Sequence, residues 1–264
     1  MQLSEILAAA DLQDGRLNAT ITDTWTQGRT SYGGLSSALC YHAAQQVLPE
    51  PRALRSLMVS FVGPSAGAVT IDTELMRSGR AATSVRTRLS TPDVNGVEAS
   101  FTFSTMRESK LDLAGPAYPD DIPPRPASGV TPLIFPEIAP AFTRQFEWIW
   151  HEGVVPFVHT GSARAIAWAR HRDIASRSTL AGLVCLADGL PPAISSTMGE
   201  FAPVSSMTWM MDLITDDIST DDGWYLLEAK ADFGGGGHSS QDMTIWNTRG
   251  QCIAKGRQMV AVFL

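Results

Sequence analysis

Cysteine is scarce in this sequence: Cys40, Cys185 and Cys252 are the only three in 264 residues, they lie far apart, and no CxxC pair is present. An odd, scattered set offers neither a disulfide framework nor a zinc site, so the three are expected as reduced core residues. Long apolar runs are also missing. None approaches the roughly eighteen residues of a membrane span, and the opening MQLSEILAAADLQDG is acidic where a secretory leader is basic. A cytoplasmic location is the expectation. Positive charge is in deficit, with a formal net charge of −7, which argues against a nucleic-acid binder. An anionic ligand would have to be met locally. Arg77, Arg80, Arg86 and Arg88 crowd one hairpin-like stretch, where they either receive a phosphate or clothe a solvated strand face.

The glycine-rich stretch DFGGGGHSSQD (232–242) lacks the lysine and Ser/Thr of a phosphate loop, and a strand-like MTIW follows it where a dinucleotide fingerprint requires a helix. Its glycines therefore serve a strand reversal, which needs positive φ or a close backbone approach. His238 is expected as a loop residue, since no nucleophile or second ligand pairs with it.

What the sequence does contain is enough apolar residue, 44%, for a sizeable core in one large domain or two ordinary ones. Between Gly115 and Pro140 lie eight of the sixteen prolines, a density that excludes sheet and helix through much of the stretch. The expected organisation is a domain over 1–110, a proline-rich linker over 111–143 and a second domain over 144–264.

The two halves repeat. GGLSSALCYHAAQQVL carries Leu35, Leu39, Ala43 and Val47 at helical spacing and ends before Pro49 and Pro51. Four alternating segments follow, RSLMVSFVGP, VTIDTELMRSG, RAATSVRTRLS and, after a turn at Asn95 and Gly96, VEASFTFSTM. The second half gives a helix in TLAGLVCLADGL, ended by Gly189, Pro191 and Pro192. Then come SSMTWMMDLI, WYLLEAKADF, SSQDMTIWN and, after Arg249 and Gly250, QCIAKGRQMVAVF. Both helices are apolar or small nearly all round, so each is expected to be buried on most sides, as a sheet wrapped round it would achieve.

This order, with WTQGRTSYGG, ELMRSGR, LADGLPP, SSMTWMMDL and KGRQMVAVF at their places, resembles the double-hotdog thioesterases of the acyl-CoA thioesterase II type over nearly the whole chain. The resemblance implies an α+β double hotdog, with two antiparallel sheets each wrapped round a long central helix. It also implies hydrolysis of acyl-CoA to free acid and CoA with no metal or organic cofactor, and further association of such chains into homo-oligomers. Family members hold a water beside the thioester with an aspartate on the second helix, a Ser or Thr at the start of the next strand and a glutamine on the last strand. The matching positions are Asp188, Ser206 and Gln258, with Ser205 adjacent to Ser206.

The residues support a site there on their own terms. Asp188 follows an enclosed helix, and a buried carboxylate needs hydrogen-bond donors. Gln258 falls on the strand face with Ala254, Gly256 and Val260, and a buried amide needs partners too. A water between the two would satisfy both; alternatively Asp188 reaches solvent past Gly189 and Gln258 makes a structural bond. In the first half Tyr41 stands where Asp188 does, and Phe103 or Ser104 where Gln258 does, so one site per chain is expected. The resemblance further implies that the first helix's N-terminus approaches the middle of the second helix, which makes Gly33 and Gly34 candidates for binding the thioester oxygen, with Gln27 as a second donor; tight helix entry is the other reading. Asp188 acts either as a general base or as a nucleophile. Trp209, Met210, Met211 and Trp246 line an acyl tunnel or pack the core. Two other functions remain open: a hotdog that binds an acyl ligand without turnover, and an enoyl-CoA hydratase or dehydratase, disfavoured because LADGL has no histidine.

Overall fold

The computed structural model describes residues 1–13, 15–111, 113–126, 129–153 and 161–264; Asp112, Ala127 and Ser128 of the expected linker and 154–160 of the expected second domain lie outside them. The first half runs α1 (Leu3–Ala9), β1 (Asp11–Gln13), β2 (Arg16–Ile21), a small hairpin of β3 (Thr26–Gln27) and β4 (Thr30–Ser31), then α2 (Gly33–Gln46). It closes with β5 (Ala53–Phe61), β6 (Gly67–Ser78), β7 (Ala82–Ser90) and β8 (Asn95–Ser104). The second half runs β9 (Phe146–Glu152), β10 (Arg164–His171), α3 (Leu180–Ala187), β11 (Val204–Leu213), β12 (Tyr225–Gly235), β13 (His238–Asn247) and β14 (Cys252–Val262). Among the described residues, 105–140 contain no helix or strand.

Twelve of these strands form one sheet in the order β1-β2-β6-β7-β8-β5-β11-β14-β13-β12-β10-β9. This corrects the expectation of two separate sheets. β5 and β11 pair antiparallel, with Trp209 opposite Val59 and Met211 opposite Leu57, and so fuse the halves at their edges. Fusion removes two edge strands that would otherwise present unpaired backbone groups. The repeat is also longer than the alternation suggests, because β1 and β2 in one half and β9 and β10 in the other precede the central helix and extend the sheet outward.

The helices meet the expectation unequally. α2 starts at Gly33 and is buried at ten positions, packing on β6, β7 and β8. Leu35 and Leu39 are fully enclosed; trimming either to Ala would cost on the order of 2–5 kcal/mol. The second helix is not long. Thr179 caps α3 by accepting from the Gly182 N–H at 3.0 Å, and the helix stops after eight residues, where Gly189, Pro191 and Pro192 cannot continue it.

One core fills the space between the helices and the inner sheet face. A smaller apolar cluster of Trp168, Trp224, Leu226 and Trp246 lies apart from it, covered by Tyr118 and Ile122 of the proline-rich stretch. Trp246 is thereby committed to that cover, and its indole N–H donates to the Pro116 carbonyl at 3.3 Å. Trp209 and Met211 are core residues, whereas Met210 is exposed.

The glycine run turns as expected: Gly236 and Gly237, at φ 59° and 79°, connect β12 to β13, and His238 is exposed there. The turn placed at Asn95 and Gly96 falls earlier, where Thr91 N–H donates to the Val94 carbonyl at 2.9 Å, and Asn95 already belongs to β8. Arg86 pairs with Glu74 and Arg88 with Glu98 at exposed positions. Cys40 and Cys185 are buried free thiols and Cys252 is half-buried.

Candidate active site

Asp188 is the residue at which α3 ends. Its backbone has left the helix, at φ −87° and ψ 8°, and its carboxylate turns toward Gln258 rather than to solvent past Gly189, which is itself buried. Gln258 Nε2 donates to Asp188 Oδ1 at 2.8 Å and to Ser206 Oγ at 2.9 Å. The three residues come from α3, β14 and β11, so the fold brings together what the sequence keeps up to 70 positions apart.

The contact between Asp188 and Gln258 is direct, which revises the picture of a water between them. A primary amide has two N–H donors, and both are spent, one on the carboxylate and one on the hydroxyl. What remains for a further partner is the hydroxyl proton of Ser206 and the carboxylate's acceptor capacity beyond Gln258 and the Gly34 backbone N–H.

Burial pushes the Asp188 carboxyl up from 3.8 to about 7, against the opposing pull of the Gln258 N–H and, more weakly, the Gly34 backbone N–H. The carboxylate keeps partial contact with solvent through a cleft of about 390 Å³ that Gln27, Gly33, Ser205 and Ser206 also line. The fully enclosed neighbours Tyr32 and Cys185 have their own pKa values raised, first by burial and then by the Asp188 charge, and both stay neutral at physiological pH.

Close approach of the two central helices positions this group. A Cβ on Gly33 would lie 2.6 Å from Asp188 Oδ2, and one on Gly34 would overlap the Cys185 carbonyl oxygen. The N-terminus of α2 therefore meets the C-terminal end of α3; the expected approach to the middle of the second helix fails because α3 is so short. Tyr32 locks the junction by donating from its hydroxyl to the Cys185 carbonyl at 2.6 Å, its ring stacked on Phe142 at 4.0 Å between centroids. Because the Gly34 N–H faces the carboxylate, Gly33 is the better placed of the two to meet a substrate oxygen. Gln27 is exposed on the β3–β4 hairpin at the cleft's edge.

A bulge on β11 selects the hydroxyl. Strict alternation back from the buried Trp209 would point Ser205 inward. The register with β14 slips between Ser206 and Thr208, which turns Ser206 toward Gln258 and leaves Ser205 exposed. Bulges beside functional sites commonly re-aim a side chain in this way.

Gln241 is a site residue that the sequence reading passed over. It is 1% exposed, stands directly opposite Gln258 across the β13–β14 ladder, and donates from Nε2 to Gln258 Oε1 at 2.7 Å. Its alternation with Met243 and Ile245 on the inward face of β13 was the available signal. In the first half the corresponding space is filled: Tyr41 packs between Phe101 and Phe103.

A repeated helix-on-sheet unit with a carboxylate at one helix end and an amide from the last strand places the molecule among the hotdog folds. Sequence models of the acyl-CoA thioesterase N-terminal and C-terminal domains match residues 21–105 and 119–262, and the chain belongs to that family. Solved structures show the same fold at low identity. A conserved protein of unknown function with a hot dog fold from Alicyclobacillus acidocaldarius is 18% identical, with a TM-score of 0.88 over 100% of this chain and 99% of that one. The tesB protein of Mycobacterium avium subsp. paratuberculosis is 16% identical, with 0.75 over 99% of each chain. An acyl-CoA thioesterase II from Mycobacterium marinum is 17% identical, with 0.73 over 99% and 97%. No curated protein matches the sequence significantly.

Proposed function

We propose that the protein hydrolyses the thioester of acyl-CoA to a free carboxylic acid and CoA, using a water activated by Asp188. The observation that carries this reading is a carboxylate raised to about 7 at the wall of a cleft, with Oδ1 held by Gln258 and acceptor capacity left for a water beside the Gly34 N–H. A base titrating near the working pH combines a useful ionised fraction with enough basicity to take a proton.

The attacking water sits between the Asp188 carboxylate and the Ser206 hydroxyl. As its oxygen bonds to the thioester carbonyl carbon, its proton passes to Asp188. The carbonyl oxygen becomes an oxyanion, and the Gly33 N–H, which has no intrahelical acceptor at the first position of α2, stabilises it together with the helix dipole. Collapse breaks the carbon–sulfur bond, and the departing thiolate takes the proton back from Asp188. Gln258 touches neither water nor substrate in this scheme; it holds the base and the hydroxyl at their stations. Gln27, which lines the same cleft from its exposed edge, is the proposed second donor to the thioester oxygen. Ser206 as a serine-hydrolase nucleophile is disfavoured because no GxSxG elbow surrounds it.

Thiol release from acyl-CoA of graded chain length tests the reading. Cleavage of at least one member of the series is expected; folded protein that leaves all of them intact, or that adds water to 2-enoyl-CoA without freeing thiol, would overturn it.

A further inference from the structure

Amide groups are reversible in principle, because Gln can present either its oxygen or its nitrogen to a neighbour. If Gln258 presented Oε1 to the site, an oxygen would face the Asp188 carboxylate and the base would lose its principal donor. Something must fix which way the amide faces. Pro191 and Pro192 follow Leu190 and have no N–H, so Ala193 is the first backbone donor after that residue. The Ala193 N–H can only donate, and its acceptor is Gln241 Oε1 at 2.8 Å. Gln241 must therefore turn Nε2 the other way, where it meets Gln258 at 2.7 Å. Gln258 must answer with Oε1, and its own Nε2 is left facing Asp188 and Ser206.

We propose that Gln241 is a positioning residue of the hydrolytic site: it transmits the polarity of the Ala193 N–H to the Gln258 amide and so keeps that amide's N–H groups on Asp188 and Ser206. The proposal rests on the function inferred above for its kinetic consequence, but the relay itself is a property of the fold. Gln241 and Gln258 are 1% and 3% exposed, so an unmatched pair facing each other would be costly. The relay also ties the segment following Asp188 to β13 and β14, so that the base and the group holding it are anchored to one another from both sides.

The test compares Gln241→Glu with Gln241→Met. A carboxylate at 241 still accepts from Ala193 but cannot donate to Gln258, whose amide then turns its N–H groups toward residue 241 and its oxygen toward Asp188. The titratable groups facing Asp188 from the packed elements of the parent are Tyr32 and Cys185, both neutral through the range; Gln241→Glu adds a carboxylate whose own charge also raises the midpoint, so the uncharged Gln241→Met reports loss of the relay by itself. In Gln241→Glu the Asp188 midpoint, read by carbon-13 NMR of the labelled carboxyl, is expected to rise, with kcat falling ~10- to 100-fold and KM nearly unchanged. Gln241→Met, which removes the relay without adding charge, is expected to show a smaller change in the same direction. A purely structural Gln241 would lower the melting temperature and leave the Asp188 midpoint and the pH profile of folded Gln241→Met where they were in the parent; a midpoint unchanged in Gln241→Met would overturn the proposal, whatever the added charge does in Gln241→Glu. Because the NMR readout needs no turnover, it separates failure of the relay from failure of the thioesterase reading.

Discussion

Gly33 and Asp188 are packed so closely that a single methyl on Gly33 would come within 2.6 Å of the Asp188 carboxylate and 2.8 Å of the Phe61 ring. α2 therefore has no room for a side chain beside the base unless the carboxylate or the ring shifts. Gly33→Ala is expected to fold, because α2 is buried along most of its length and its remaining contacts are untouched. It should displace the carboxylate or the ring by a fraction of an ångström to an ångström. A shift of that size is expected to reduce kcat by about 10²-fold with a melting temperature within a few degrees of the parent. Steady-state kinetics with a parallel thermal melt checks both.

The pH profile carries the signature of the base. With Asp188 at about 7, only the ionised form accepts a proton, so kcat/KM should climb with a slope of one below that value and level off above it. A profile flat from pH 5 to 8 would remove Asp188 from the proton-transfer step.

Stability should run the opposite way. The folded pKa of Asp188 lies above the unfolded one, about 3.9, so the native state binds the proton more tightly and loses stability as pH rises from about 4 through 7. Asp188→Asn removes a carboxylate that must be held charged in poor solvation. It is expected to be the more stable protein at pH 8 by on the order of 2 kcal/mol, with the difference shrinking toward pH 4. Urea unfolding at the two pH values measures it.

The β11 bulge separates two neighbouring serines. Ser206→Ala removes a partner of Gln258 and of the proposed water, and about a tenfold loss in kcat is expected. Ser205→Ala touches neither and should behave as the parent. Equal effects from the two substitutions would mean that the bulge does not set the site.

Local signals carried much of this molecule. The α2 start at Gly33, the glycine hairpin at Gly236 and Gly237, the enclosed character of both helices and the convergence of Asp188, Ser206 and Gln258 all follow from spacing, turn chemistry and family motifs. What escaped is non-local or irregular. The β5–β11 seam joins strands from opposite halves, and no local pattern encodes which edges will meet. β10 reads RAIAWARH, with alanines of low strand preference, and it is buried along most of its length because the proline-rich stretch covers Trp168; it therefore lacks the alternation that marks a half-exposed strand. The slip between Ser206 and Thr208 is a one-residue irregularity that inverts which serine faces inward. Gln241 becomes visible only once β13 is set in register against β14, since its role lies entirely in what stands across the ladder.

The most direct test of the central claim is the rate of thiol release from the best acyl-CoA substrate by the parent protein and by Asp188→Asn at pH 8, with circular dichroism confirming that both are folded. The account expects the substitution to cut kcat by about 10²- to 10⁴-fold in a protein at least as stable as the parent. An Asp188→Asn protein that is folded and releases thiol at the parental rate would contradict it.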